Sequence, residues 1–308
     1  MVTVAHDVKT FIPQAGMDRA CTAHSPQPLR LGSHHFSFDR PLVMGILNVT
    51  PDSFSDGGRF FRYEKAIAHA ERMLAAGADI IDIGGESTRP NAQPVTDQEE
   101  IDRTIPVVEY VARTLKTAVS IDTSKPSVMR AAIAAGASLV NDVRALRYDG
   151  ALDVLKTHAD VAVCLMHMRG TPATMQQSPQ YADVIADICA FLRERIAICV
   201  NAGIERARIL IDPGIGFGKT KAHNVRILAH MPAFVALGQP VLIGVSRKSV
   251  LGDVLGSPVQ QRLAASMSAM LYAIMRGAHI VRVHDVQETV DAVTVWQHLV
   301  AAQNDSMV

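Results

Sequence analysis

The sequence is poor in the features that direct a chain to a membrane, an oxidising compartment or a nucleic acid. No apolar run reaches the roughly 18 residues needed to span a bilayer. The N-terminal stretch carries Asp7, Lys9, Asp18 and Arg19 around no apolar centre, which argues against a secretory signal peptide. Only 4 cysteines occur in 308 residues, and Cys21, Cys164, Cys189 and Cys199 include no Cys-x-x-Cys pair. A disulfide framework or a zinc site is therefore not expected, and a reduced, cytoplasmic protein is. Neither sign of charge is in surplus, since Lys+Arg and Asp+Glu are both 30. Without a clustered basic excess a nucleic acid is not the expected partner, although a local basic pocket remains compatible. Phosphate signatures are missing too. No Gly-x-Gly-x-x-Gly follows the first apolar run, and "GIGFGKT" (214–220) fails as a P-loop because Pro213 stands where the motif needs its first glycine.

What is present is a core and a rhythm. The composition, 48% hydrophobic and 19% charged, suffices for a large buried interior. Residues 1–30 show no sustained periodicity and read as a flexible tail. "LRLGSHHFSFD" (29–39) reads as a hairpin about a Gly-Ser turn. From residue 41, eight short apolar runs alternate with stretches of helical period: 42–49, 78–85, 117–122, 137–143, 160–167, 207–214, 240–246 and 278–285. Helices are predicted near 62–76, 97–115, 126–136, 150–158, 180–202, 221–237, 259–277 and 286–302. Several close on glycine, as in "AAGAS" (134–138), which supplies the left-handed residue after a helix. Thr96 is the expected N-cap of the second helix, with Glu99 as its capping-box partner. Eight strand–helix units in this length predict a single-domain (β/α)8 TIM barrel over 31–303 with a short N-terminal hairpin. A doubly wound open sheet is the competitor.

In a barrel the site forms at the C-terminal strand ends. Every one of the eight runs ends in polar chemistry: Asn48, "GGESTRP", Asp122, Asn141–Asp142, His167, Asp212, "SRKS", and Arg282 with His284 and Asp285. Taken singly, such residues are as readily helix caps; eight of eight is harder to explain that way. Asp122, Asn141 and Asp212, with Lys248, suit a ligand edge rich in N–H donors, such as a 2-amino-pyrimidinone ring. Metal binding is the alternative for the two carboxylates. Arg89, Arg282 and His284 form a separate basic group suited to a di- or triphosphate, with Thr88 adding a donor. Mg²⁺ would accompany it, with Asn48 and Asp56 as hard oxygen candidates. A helix beginning at "KSVLG" would aim backbone N–H groups, beside Ser249, at the carboxylate of a second substrate. His167, between Met166 and Met168, reads as a packed wall residue rather than a catalyst. Loops 50–61 and 85–95 read as lids.

Together "MGILNVTPDSFSDGG" (44–58), "DIGGESTRP" (82–90), "SIDTSKP" (120–126), "NDV" (141–143), "LMHMRGTPATMQ" (165–176), "IDPGIGFGK" (211–219), "GVSRKS" (244–249) and "RVHDV" (282–286) resemble the dihydropteroate synthases of the pterin-binding family. The resemblance implies a (β/α)8 barrel, commonly a homodimer. It implies a transferase joining a dihydropterin hydroxymethyl diphosphate to 4-aminobenzoate, the substrate that sulfonamide drugs mimic, with Mg²⁺. It implies that Asp122, Asn141, Asp212 and Lys248, beside Met166 and Phe217, hold the pterin. Thr88, Arg89, Arg282, His284 and Asn48 would serve the diphosphate, with Asn48 on the metal. Phe54, Arg89, Pro90, Phe217 and Ser249 would surround the aminobenzoate. Asp122, Lys248, Arg89 and Asp56 are the expected catalytic group. Arg144 departs from the smaller residue expected after "NDV". Two rivals remain: a pterin-binding methyltransferase barrel serving a corrinoid, and a non-catalytic pterin- or phosphate-binding paralogue.

Overall fold

The computed structural model describes residues 27–50, 59–87, 93–171, 174–256 and 258–305. β1 (Leu29–Leu31) and β2 (His34–Phe36) pair antiparallel about Gly32, whose φ is +60°. Eight parallel strands follow: β3 (Leu42–Asn48), β4 (Ile80–Gly84), β5 (Ala118–Asp122), β6 (Leu139–Asp142), β7 (Ala162–Met166), β8 (Ile209–Asp212), β9 (Leu242–Ile243) and β10 (Ile280–Val283). Their order is β8-β7-β6-β5-β4-β3-β10-β9, and the parallel pairing of Ile211 with Val241 joins the two ends into a ring. That closure decides against the open doubly wound sheet, whose order reverses partway. The seam beside the two-residue β9 is thin; there Ile211 N–H donates to the Pro240 carbonyl at 3.0 Å.

Helices α1 (Arg59–Ala75), α2 (Asp97–Arg113), α3 (Pro126–Ala135), α4 (Ala151–Lys156) and α5 (Val184–Asn201) cover the first half of the ring. α6 (Lys221–Ala229), α7 (Met231–Val235), α8 (Ser249–Leu255), α9 (Leu263–Met275) and α10 (Val286–Asp305) cover the second. The helix expected over 221–237 is thus two. Pro232 has no N–H to continue the ladder and sits in the first turn of a new helix, where that N–H would have no partner in any case. The stretch 259–277 likewise opens as a 3₁₀ turn, Val259–Gln261, before α9 begins. Thr96 caps α2 as expected, its Oγ1 accepting from Glu99 N–H at 3.2 Å, but the Glu99 carboxylate pairs with Arg103 instead of returning to the cap. The reciprocal box occurs at α6, where Thr220 Oγ1 accepts from His223 N–H and His223 Nδ1 accepts from Thr220 N–H. Gly136 ends α3 with φ +118°, the left-handed cap that "AAGAS" predicts.

Side chains alternate across a strand, so each strand feeds two layers. Val43, Leu47, Ile81, Ile83, Val119, Ile121, Val140, Val163, Ile209 and Ile211 point outward and pack under the helices. Their neighbours Leu42, Met44, Ile80, Ala118, Leu139, Ala162, Cys164, Leu210, Leu242 and Ile280 fill the barrel. Leu29 and Leu31 of the hairpin join this inner cluster, at 1% and 0% exposure, and plug the end of the barrel where the strands begin. The fold therefore takes in Leu29 and Arg30, which the sequence reading also assigned to the tail; residues 1–26 lie outside the described residues. Leu31→Ala is expected to cost about 2–5 kcal/mol, since the ring of strands cannot collapse onto the space left. Urea unfolding checks this, and a loss under about 1 kcal/mol would mean that the hairpin is not a plug.

Candidate active site

The alternation that fills the lower barrel with carbon places polar groups one layer higher. β4 runs Ile80, Asp82, Gly84 on its inner face; β5 runs Ala118, Ser120, Asp122; β6 runs Leu139, Asn141; β8 runs Leu210, Asp212; β10 runs Ile280, Arg282. The same rule separates two adjacent residues that the sequence reading grouped together. Asn141 faces inward. Asp142 faces outward and accepts from Ser124 Oγ at 2.5 Å, Arg144 N–H at 2.8 Å and Leu146 N–H at 2.7 Å. Those bonds hold the loop in which Ala145 and Leu146 adopt φ of +53° and +55°, so Asp142 is scaffold and not pocket. Arg144, larger than the residue expected there, stacks its guanidinium 5.8 Å from the Tyr148 ring.

Arg282 is not part of a basic group apart from the carboxylates. Its Nε donates to Asp82 Oδ2 at 2.5 Å and its Nη2 to Asp122 Oδ2 at 2.6 Å, so one guanidinium bridges two strands. Asn141 Nδ2 donates to the same Asp82 oxygen at 3.3 Å. Asp82 is fully buried, and its Oδ1 has no partner among the described residues. Across the barrel Asp212 Oδ1 accepts from Gly214 N–H at 2.6 Å. Burial pushes the Asp122 carboxyl up to about 7; Arg282 opposes the shift and the negative charge of Asp82 adds to it. Burial likewise raises Asp212, against the pull of Lys248. Burial lowers the Lys248 ammonium to about 8, with Asp212 resisting. Arg282 is held above its ordinary range, because Asp82 and Asp122 outweigh the cost of its own burial.

Lys248 stands just before α8 and donates to the Ile215 carbonyl, with its Nζ 4.7 Å from the Phe217 ring centroid. Phe217 packs on Val143, Met166, Met168 and Met175, so Met166 and Phe217 form one wall. Ser249 opens α8 and is exposed at its first position. His284 is tied to the end of the preceding strand segment: its Nδ1 lies 3.1 Å from Ser246 Oγ, which also accepts from His284 N–H at 3.2 Å. Asn48 ends β3 beside Gly84. His167 is the wall residue that its methionine neighbours predict. It is buried, edge-on to Phe191 at 5.0 Å, and burial with the adjacent Lys219 charge pushes its imidazole down to about 2.

Two buried residues escaped the sequence reading as individuals. One is Asp82, set in a strand that reads as apolar. The other is Lys219, the lysine of the failed P-loop. It faces inward, not toward a phosphate: Nζ donates to Phe217 O at 2.9 Å and His167 O at 3.2 Å and lies 3.0 Å from His167 Nδ1. Phe54, Asp56, Thr88, Arg89 and Pro90 lie outside the described residues. The chain flanking the last three is clasped by Lys125, whose Nζ reaches Val95 O at 2.7 Å, Glu100 at 2.8 Å and Glu86 at 3.1 Å.

A barrel plugged at one end, with buried carboxylates, an amide, a lysine and an arginine converging at the other, defines an enzyme built to grip a small planar ligand. The family model described as "Pterin binding enzyme" matches residues 44–284. The chain is 50% identical over 257 residues to a dihydropteroate synthase of Haemophilus influenzae, covering 83% of this chain and 93% of that one. It superposes on the Xanthomonas albilineans dihydropteroate synthase solved with 4-aminobenzoic acid, with a TM-score of 0.85 and 51% identity over 90% of this chain and 99% of that one. It also superposes on the Burkholderia cenocepacia dihydropteroate synthase solved with 7,8-dihydropteroate, with a TM-score of 0.82 and 47% identity over 91% and 99%. The chain belongs to the pterin-binding enzyme family, among its dihydropteroate synthases, and is a transferase. No helix among the described residues is long and apolar enough to cross a membrane.

Proposed function

We propose that this chain condenses (7,8-dihydropterin-6-yl)methyl diphosphate with 4-aminobenzoate to give 7,8-dihydropteroate and diphosphate, as a cytoplasmic step of folate synthesis. The observation that carries the reading is the convergence of Asp122, Asn141 and Asp212, from β5, β6 and β8, with Lys248 before α8, at one barrel mouth. In this reading the two carboxylates and the Asn141 carbonyl accept the N–H edge of the pterin. Lys248 donates to its acceptor atoms, and Met166 and Phe217 flank its faces. The methylene–oxygen bond breaks and its electron pair leaves on the diphosphate. Arg282, His284, Thr88 and Arg89 receive that charge. Asp122 stabilises the pterin methylene cation left behind. The nitrogen lone pair of 4-aminobenzoate, seated by Phe54, Arg89, Pro90, Phe217 and Ser249, forms the new C–N bond, and the amine proton passes to solvent. The chemistry needs no side-chain nucleophile, and none is assigned.

Asn48 suits a Mg²⁺ that keeps most of its ligands as water and diphosphate oxygens, and among the described residues no group of three or more His, Cys, Asp or Glu forms a protein cage for a metal. Asn48 would hold the ion through its carbonyl oxygen, with Asp56 as a second oxygen donor. When bound, Mg²⁺ supplies charge neutralisation at the leaving diphosphate. A corrinoid-dependent methyltransferase would have no diphosphate to hold and no need of Lys248 with the Arg282–His284 pair, and a binding-only paralogue would not need the catalytic set at all. Exposed Val254, Leu255, Val259, Leu263, Tyr272 and Met275, on α8, α9 and the turn between them, support a homodimer joined through that side.

The test is incubation of the protein with the pterin diphosphate, 4-aminobenzoate and Mg²⁺, with and without chelator. Magnesium-dependent dihydropteroate is expected. Product unaffected by chelator would remove the metal, and tight pterin binding without product would leave only the binding role.

A further inference from the structure

We infer that Asp82 is a positioning residue that fixes which way the Asn141 amide faces, and thereby makes the pocket select a ring edge that donates hydrogen bonds; this rests on the pterin reading above. Asp82 touches no part of the mouth that a ligand would reach first. It lies one inward position below Gly84 on β4, with no exposure, while Asp122 stands a step higher on the neighbouring strand, paired with Gly84. Packing gives no reason for it. A buried ion pair is weak evidence for stability, since apolar residues of the same size serve as well. Here a single guanidinium is shared between two carboxylates, and Asp82 Oδ1 is buried with no partner among the described residues.

The geometry gives Asp82 Oδ2 two donors, Arg282 Nε at 2.5 Å and Asn141 Nδ2 at 3.3 Å. An ionised carboxylate only accepts, so the nitrogen of the Asn141 amide must face it. The Asn141 oxygen is then the end left to a ligand. With Asp122 and Asp212 beside it, the mouth offers acceptors only along that edge, and a ring carrying an oxo group where the substrate carries an amino group would meet oxygen with oxygen. The Arg282 contact serves the same end. Its Nη2 rests on Asp122, where an incoming N–H edge must take its place, whereas its Nε rests on the deeper Asp82 and stays held. Asp82 thus anchors Arg282 while Asp122 is handed to the ligand.

The experiment compares wild type, Asp82→Asn and Asp82→Ala by calorimetric binding of two probes. One is 6-hydroxymethylpterin, with a 2-amino group. The other is 6-hydroxymethyl-lumazine, with an oxo group in its place. In Asp82→Asn the new side-chain amide would itself present N–H to Asn141 and let the Asn141 amide turn over; Asp82→Ala would leave that amide free to turn. Both variants are expected to narrow the preference for the amino ring by about tenfold, the worth of one hydrogen bond of about 1.4 kcal/mol. Melting curves confirm folding, and Asp82→Ala carries the same expectation if Asp82→Asn does not fold. Equal loss of both probes, or an unchanged preference in a folded variant, overturns the inference and leaves Asp82 as scaffold. If wild type binds neither probe and makes no dihydropteroate, the pterin reading falls and this inference with it. A wild type that is active, with an unchanged preference in the variants, sinks the inference alone.

Discussion

Asp122→Asn is expected to lower turnover by about 100- to 1,000-fold, the usual effect of deleting one preorganised electrostatic group, while changing pterin affinity by less than about tenfold. The substitution keeps the shape of the side chain and one oxygen to accept an N–H, so ground-state binding largely survives. What disappears is the negative charge. In the proposed reaction that charge matters most when the departing diphosphate leaves a cation on the ring. Single-turnover rates set against equilibrium binding separate the two effects; equal losses in both would sink the cation-stabilising role. The pH profile gives a second readout. Burial holds the Asp122 carboxyl near 7 in the free protein, with Asp82 adding to the shift and Arg282 opposing it. The ionised form is the active one, so kcat/KM for the pterin substrate is expected to rise with pH through about 7 and to lose that limb in Asp122→Asn. For stability the sign is opposite. A carboxyl whose folded pKa is raised stabilises the fold below its ordinary range near 4 and loses that contribution as pH rises through about 7. The raised Asp142 and Asp212 act in the same direction. Denaturant unfolding at pH 5 and pH 8 without ligand measures the combined effect.

Gly214→Ala is expected to destabilise the protein by about 3 kcal/mol or more and to abolish pterin binding in whatever remains folded. Gly214 has φ +70°, and a Cβ built on it would lie 2.0 Å from the carbonyl oxygen of His167. Both obstacles are backbone, so no side-chain rotation relieves them. The segment that must move is the one that organises the mouth. Gly214 N–H fixes Asp212, the Ile215 carbonyl receives Lys248, Phe217 forms the wall, and Lys219 ties the segment to His167. Gly238→Ala is the control: its φ is +77°, but nothing lies within 4 Å of an added Cβ. It should cost only the left-handed backbone strain, about 1–2 kcal/mol, and leave binding intact. Similar losses in both variants would show that φ alone, and not contact with His167, makes Gly214 necessary.

Much of this was legible in the sequence, for reasons that particular residues make plain. The eight strand–helix units were readable because burial imposes local periods, and the strand ends because polar groups seldom follow apolar runs eight times without cause. Ring closure was not local: it depends on Ile211 meeting Val241 across the seam. The inward direction of Asn141 and the outward one of Asp142 could have been read by counting in twos from the apolar residues of β6. The same count would have found Asp82, since it falls two residues after Ile80 and two before Gly84, on the face that leads to the pocket. Lys219 and Arg282 were harder. Their partners, His167 for one and Asp82 with Asp122 for the other, are far away in the chain, and no spacing announces them. Glu99 shows the limit of a local motif, because a neighbouring arginine outcompeted the cap for its carboxylate.

The alternation of each strand has a consequence for how this enzyme can change. Consecutive residues answer to different selection: outward ones to whether the protein accumulates in the cell, inward ones above the hairpin plug to whether it supports growth. In a library varying every position of β4, β5 and β6, abundance and growth should therefore diverge with a period of two. Ile81, Ile83, Val119, Ile121 and Val140 are expected to tolerate little in abundance, whereas Asp82, Asp122 and Asn141 should yield well-expressed but non-supporting variants. Substitutions on the inner stripe can then alter the chemistry of the pocket without drawing on the reserve of stability held by the outer one.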